Sequence, residues 1–280
     1  MRVQCVIETG SDTAILAAMR TRAVSGLESG QTVTLVGRLR IGRSGVRLIQ
    51  AMLLASAPLL AYPAEGPWSA SVTATTDYVF RGVSQTYDRG ALQLGGNYFS
   101  PQGWFAGAWG SNVDLYPGAR SAQELNLYAG VSRPLGGDFN ASFVYTRYLY
   151  LDDPRPAHYN YDELTLSASY LDRLVATISY QPDITLYSNL GFADRRPSLA
   201  YELTGRWPLP LGLAIEAGAG YYDLQRVFGV RYWAADAGIQ YIYRRVSLDL
   251  THFIADPTVA RLYGDASANG TWVLSAVVRF

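Results

Sequence analysis

Two histidines, one cysteine and a scatter of carboxylates are the material this sequence offers for chemistry. A serine–histidine hydrolase needs its nucleophile within hydrogen-bond reach of its base. On one face of a strand that partner stands two residues away. The residue two beyond His252 is Ile254, and the residue two beyond His158 is Asn160, so neither pair works. His158 sits in "DDPRPAHYNY" near Asp152 and Asp153, which could supply an aspartate–histidine protease site. A solvated loop histidine is the plainer reading, because such a grouping needs confirming context. Cys5 alone excludes an internal disulfide and a zinc site of several thiolates. No phosphate-binding glycine loop, paired-histidine metal motif or calcium loop has the required spacing, and "DPTVARLYGDASANG" reads as loop. The expectation is therefore no enzyme, no metal and no cofactor. What remains are the carboxylates Glu202, Glu216, Asp236 and Asp249 with Arg206, whose meaning depends on the elements that carry them.

Charged residues make up 16% of the 280, against the roughly 25% usual in soluble domains, while Tyr, Trp and Gly are frequent. Formal net charge is zero, so no basic footprint points to nucleic acid. Arg38, Arg40, Arg43 and Arg47 precede "LIQAMLLASAPLLAYPA", an apolar run too short and interrupted for a spanning helix. It reads as a secretory signal cleaved near Ala61 or Ala64. Residues 1–64 are thus expected to be an upstream extension plus signal peptide, with residues 1–37 suggesting a start placed too far upstream. Residues 65–280 then form the mature domain. It carries 16 arginines (23 less seven) against 20 acids (23 less three) and no cysteine.

From Trp68 onward apolar residues recur with period two, and no useful window shows the helical period. Strands are expected at 68–80, 91–99, 103–114, 123–132, 139–150, 162–171, 174–184, 197–207, 211–223, 231–243, 246–255 and 271–280. That makes twelve. Their connections alternate: "SPQG", "RPLGGD", "LDR", "PLPLG" and "YRR" are tight, whereas "GVSQTYDRG", "YPGARSAQ", "LDDPRPAHYNY", "TLYSNLGFADRR", "LQRVFGV" and "DPTVARLYGDASAN" are longer and mostly polar. Short turns on one rim, long loops on the other and an even strand number describe an outer-membrane antiparallel β-barrel. A β-sandwich would hide its apolar face. Here the opposite faces carry Ser, Thr, Gly and Ala rather than dense charge. Aromatics also sort to the strand ends: Trp68, Trp104, Tyr170, Trp207, Tyr243 and Phe280 at one rim; Tyr78, Phe80, Tyr145, Tyr180, Tyr221, Trp233 and Trp272 at the other. Such girdles place rings at headgroup level.

The stretches "WSASVTATTDYVFRGVSQT", "ALQLGGNYFSPQGWFAGAWGSNVD" and "ELNLYAGVSRPLGGDFNASFVYTRYLY" resemble the TorF-type porins, Gram-negative exported proteins long catalogued without a function. The likeness is most specific in "TDYVFRGVSQT" and "GAWGSNVD". It implies an outer-membrane pore and offers no substrate or site residues to carry over.

The sequence thus predicts a twelve-stranded barrel in the bacterial outer membrane that passes ions or small polar solutes passively. Its partners would be outer-membrane lipid, the barrel-insertion machinery that reads a terminal aromatic such as Phe280, and the solute, with no nucleic acid. An outer-membrane lipase or protease, or a structural or adhesive barrel binding through its loops, are the alternatives. Twelve strands imply a narrow lumen, widened by or receiving tyrosine rings at Gly212, Gly218, Gly220 and Gly238. Alternation turns Glu202, Glu216, Asp236 and Asp249 inward as an acidic stripe favouring cations, with Glu202 and Glu216 both near mid-height and Arg206 and Arg279 opposing them nearer the short-turn rim.

Overall fold

The computed structural model describes residues 67–114, 122–151, 159–187 and 193–280. The expected residues 1–64, His158, Asp152 and Asp153 lie outside these. Within them the chain closes a twelve-stranded antiparallel barrel from β1 (Trp68–Thr75), β4 (Ala91–Phe99), β5 (Trp104–Val113), β6 (Ala122–Gly136), β7 (Phe139–Leu151), β8 (Tyr161–Tyr170), β9 (Leu174–Tyr187), β10 (Ala193–Pro208), β11 (Leu213–Leu224), β12 (Val230–Tyr243), β13 (Val246–Ala255) and β14 (Thr271–Arg279). Each strand pairs with its chain neighbours, and β1 pairs with β14 from Ser71–Arg279 to Thr75–Ser275. Between β1 and β4 a small hairpin, β2 (Val79–Phe80) and β3 (Val83–Ser84), forms a sheet of its own.

The alternation read in the sequence decides which side chains face out. In β4, Leu92, Leu94 and Tyr98 are exposed on the barrel's exterior, while Gln93, Gly95 and Asn97 turn inside. The same division puts Trp68, Trp104, Tyr170, Trp207, Tyr243 and Phe280 on the exterior at the short-turn rim. Tyr145, Tyr180, Tyr221, Trp233 and Trp272 are exposed near the long-loop rim. Closing the sheet pairs every strand edge, which an isolated sheet of this length could not achieve.

Closure is completed by Phe280, whose N–H and carbonyl both bond Ala70, at 2.9 and 3.1 Å. Its ring is 61% exposed, so packing within the barrel does not explain an aromatic there. Removing Phe280 should cut the amount of assembled barrel severalfold at native expression and leave export intact. Unchanged membrane yield would show that assembly needs neither those two backbone bonds nor a terminal aromatic.

The first strand is where the structure departs from expectation. β1 ends at Thr75 instead of running to Phe80, and the chain folds into the barrel. Tyr78 and Phe80, expected in the long-loop girdle, are 6% and 2% exposed and lie in the interior core. The reason is local. Asp77 accepts hydrogen bonds from the hydroxyls of Ser84 (2.6 Å) and Thr86 (2.8 Å), and Thr86 also receives the Tyr78 N–H (3.1 Å). These bonds close the segment on itself, so its aromatics are free to pack inward.

Among the described residues, the long loops also carry two short α-helices that period reading did not find. One is α1 (Gln225–Phe228). The other is α2 (Pro257–Tyr263), whose Asp256 cap accepts the Thr258 N–H at 2.7 Å ahead of Pro257 at the first helical position. The Thr258 bonds hold the Asp256 carboxyl below its ordinary range. Both helices cover the interior core through Val227 and Val259.

Candidate functional site

The barrel interior divides into two zones. Toward the short-turn rim it is lined by small polar groups: Thr165 and Ser179 share a hydroxyl bond at 3.0 Å, and Ser167 and Thr177 at 3.1 Å. Glycines let the wall recede or accept a ring. A Cβ on Gly107 would stand 2.5 Å from the Tyr128 hydroxyl.

A chain of charges crosses this zone. Arg206 pairs with Glu216 at 3.0 Å and donates to Gln240 at 2.7 Å; Gln240 donates to Asp249 at 2.5 Å. Ser247 links Asp249 (3.3 Å) to Arg279 (2.9 Å). Asp236 stands apart: among the described residues it has no hydrogen-bond or ion-pair partner, and its carboxylate faces the open side of Gly218.

Toward the long-loop rim the interior is filled. Arg81, at the tip of the β2–β3 hairpin, pairs with Glu163 of β8 at 3.1 Å and Glu202 of β10 at 3.5 Å, with the three side chains only 2–4% exposed. Around them Gln181 donates to Glu163, Ser198 donates to Gln181 (2.5 Å), Tyr222 donates to Glu202 (3.0 Å), and Thr165 donates to Glu163 (3.1 Å). Glu124, also buried, is held by Asn126 (2.8 Å) and Tyr78 (3.4 Å). Tyr148 stacks on Tyr161 with centroids 4.4 Å apart, and the Arg81 guanidinium lies 4.6 Å from the Phe80 centroid. Buried aromatics complete the layer.

These features can be set beside known proteins. The sequence matches, over residues 63–269, the model of a bacterial protein family of unknown function, Gcw_chp. The chain belongs to this family. Its barrel is similar to that of the NanC porin, at TM-score 0.53 and 9% identity, over 75% of this chain and 98% of that one. Likenesses to the KdgM porin (TM-score 0.46, 9% identity, 76% and 98% covered) and to Salmonella typhi OmpF (0.41, 8%, 76% and 96%) are looser. At 9% identity the likeness to the NanC porin concerns the fold alone. The comparison with curated proteins finds no match. The Gcw_chp description names no function, so the TorF-type resemblance rests on the quoted motifs alone.

Within this Gcw_chp barrel the expected acidic stripe is a descending stair. Glu202 stands opposite Gly220 on β11, whereas Glu216 stands opposite Arg206, four residues further along β10. At about 3.3 Å per residue that is a separation of about 13 Å, so the two are not at one height. Asp236 lies between them, opposite Gly218, and Asp249 lies lowest, opposite Gln240. Glu202 is sealed against Arg81, and Glu216 is neutralised in part by Arg206. Of the glycines expected to widen the lumen, Gly212 lies in a turn at φ +77° instead. His252 faces outward and packs on Trp272, ring centroids 4.6 Å apart. Among the described residues no group of three His, Cys, Asp or Glu could hold a metal.

Sequence reading missed Glu124 and Glu163, although the alternation that turned Glu202 inward applies equally to "AQELNL" and "YDELTL". It also gave no partner to Arg81, which the structure sets between Glu163 and Glu202.

Proposed function

We propose that this protein is an outer-membrane channel of porin type that passes ions or small polar solutes, with a preference for cations. The observation that carries this reading is a closed barrel with an apolar exterior between two aromatic bands, around an interior whose short-turn half is lined by hydroxyls, glycine and a net acidic charge set. In that half three acids (Glu216, Asp236, Asp249) face two arginines (Arg206, Arg279). A narrow low-dielectric lumen magnifies such an imbalance. The TorF-type resemblance points the same way.

The filled long-loop half favours a second reading, a structural barrel that never conducts. Conductance of the refolded protein in planar bilayers separates the two: discrete cation-selective steps are expected, and their absence under all voltages favours the scaffold.

Localisation has its own test. The protein should fractionate with outer membranes and migrate faster in unheated than in boiled SDS gels, because a closed barrel resists detergent unfolding. A soluble fraction with no heat-dependent shift would contradict the membrane assignment.

A further inference from the structure

The hairpin that fills the barrel is built in a way that mere filling does not require. Round the closed ring β9 is six steps from β1, half of twelve, and so lies diametrically opposite. Arg81 reaches Glu163 on β8 and Glu202 on β10, the two strands flanking β9. Beside it a Cβ on Gly82 would lie 2.7 Å from the Ala234 Cβ of β12. The hairpin therefore spans the whole lumen from its roots on β1 and β4. Residues at its level all round the wall, among them Asn126, Tyr148, Gln181, Tyr232 and Val273, are buried.

This closed arrangement carries strain. The two-residue turn between Phe80 and Val83 has φ +50° at Arg81 and +76° at Gly82, the primed turn that normally takes Asn, Asp or Gly first. A long side chain there is sterically costly, and such outliers persist where the surroundings over-determine them. Tyr87 and Asp88 also have positive φ. Arg81 Nε and Asp77 Oδ2 are buried without a hydrogen-bond partner. One arginine between two carboxylates leaves an uncompensated negative charge. Against these stand a few definable fastenings. The roots are pinned by Thr76 to Leu274 (3.0 Å), by Arg89 to Asp114 (2.7 Å) and by the Asp114 N–H to the Gln85 carbonyl (2.8 Å), and the tip by the Arg81 bridges and the Ala268 N–H to the Gly82 carbonyl (3.0 Å). No hairpin residue takes part in the β1–β14 or β1–β4 ladders, so the wall stays closed whether the hairpin is in or out.

We propose, resting on the channel reading above, that the segment 77–88 is a gate that leaves the lumen as a unit about its roots, and that the Arg81–Glu163–Glu202 bridge is its latch. Withdrawing Arg81 exposes the two facing carboxylates to water, which lets them separate their like charges without a buried cation. It also frees the hydroxyl- and glycine-lined half to the long-loop side. The latch thus opposes a strained turn, and the balance between them sets how often the channel is open.

The gate can be locked. Val83 bridges Ser267 across a short antiparallel contact flanked by Ala268 N–H to Gly82 carbonyl at 3.0 Å. The pair is therefore a non-hydrogen-bonded one, with Cα atoms about 4.5 Å apart, within the span of a disulfide. Val83→Cys/Ser267→Cys in a Cys5→Ser background, and separately Arg81→Ala, would be refolded as full chains and recorded in planar bilayers with potassium chloride. Oxidation of the cysteine pair should lower mean conductance at least about tenfold, with reduction restoring it, and Arg81→Ala should raise the ratio of open to closed time by roughly a hundredfold. Equal currents from oxidised and reduced pairs would overturn the gate and leave the channel standing. A lock that works while Arg81→Ala gates as wild type would overturn the latch. Silence of wild type, reduced pair and Arg81→Ala alike would overturn the channel, and the gate with it. If Arg81→Ala fails to fold, the cysteine pair alone decides.

Discussion

Arg81→Met should strip hydrogen-exchange protection from residues 77–88 while leaving the strand ladders protected. Removing one partner of a buried ion pair leaves uncompensated charge, typically worth about 3–5 kcal/mol, and here two carboxylates would be left facing each other. If exchange in the hairpin passes through its release, that loss accelerates it by roughly a hundred- to several-thousandfold. Amides to watch are Tyr78, bonded to the Thr86 hydroxyl at 3.1 Å, and Gln85, bonded to the Tyr78 carbonyl at 2.6 Å. The triple variant Arg81→Met/Glu163→Gln/Glu202→Gln should recover most of the protection. It removes all three charges and keeps one carbonyl acceptor at each position, for Thr165 or Gln181 at the first glutamate and for Tyr222 at the second. Exchange that is slow in the single variant would show that aromatic packing, rather than the ionic bridge, holds the hairpin. Exchange as fast in the triple as in the single would assign the loss to the guanidinium stack on Phe80.

The barrel was legible because its two signals are redundant over long stretches. Alternation repeats on every strand, and the sorting of "LDR" and "YRR" against "LQRVFGV" and "DPTVARLYGDASAN" fixes which ends are short-turn ends. What alternation cannot say is where a strand stops. "DYVFRGVSQT" continues the period of β1, so Tyr78 and Phe80 fall on the outer face if the strand runs on. The departure is dictated by Ser84 and Thr86 reaching back to Asp77, contacts between residues seven and nine apart that no period records. A local cue was present: a Gly-containing pair, Arg81–Gly82, between "VF" and "VS" reads as a tight hairpin. Heights were the other gap. Each inward carboxylate can be assigned a face from its own strand, but shear decides which neighbours share its level. Glu202 and Glu216 therefore separated, and Glu202 met an arginine arriving from the far wall.

Asp236→Lys should carry the largest change in ion selectivity, larger than any change at Glu202. Selectivity depends on charge that ions can sense, and most of the interior charge is already paired. Glu216 is bound to Arg206 at 3.0 Å, Asp249 is tied through Gln240 and Ser247 into the same chain, and the Glu202 side chain is 4% exposed beside Arg81. Asp236 has none of these partners and faces the side of β11 that Gly218 leaves bare. An ion passing at about 6 Å through water-like dielectric feels about 0.7 kcal/mol per unit charge, or roughly threefold in its relative occupancy. Because the cation loses and the anion gains by that factor, Asp236→Asn should lower the cation-to-anion permeability ratio about tenfold, and Asp236→Lys, a change of two charges, about a hundredfold. Both shifts should shrink as salt rises above 0.1 M, where the Debye length falls below about 10 Å. The measurement is the zero-current potential in a potassium chloride gradient, recorded in wild type and in Arg81→Ala so that open time does not limit it. With the hairpin out of the lumen, Glu202→Gln removes a single charge and should move that potential by no more than Asp236→Asn does. A potential that moves with Glu202 and ignores Asp236 would place the selective constriction at the hairpin rather than in the hydroxyl-lined half below it.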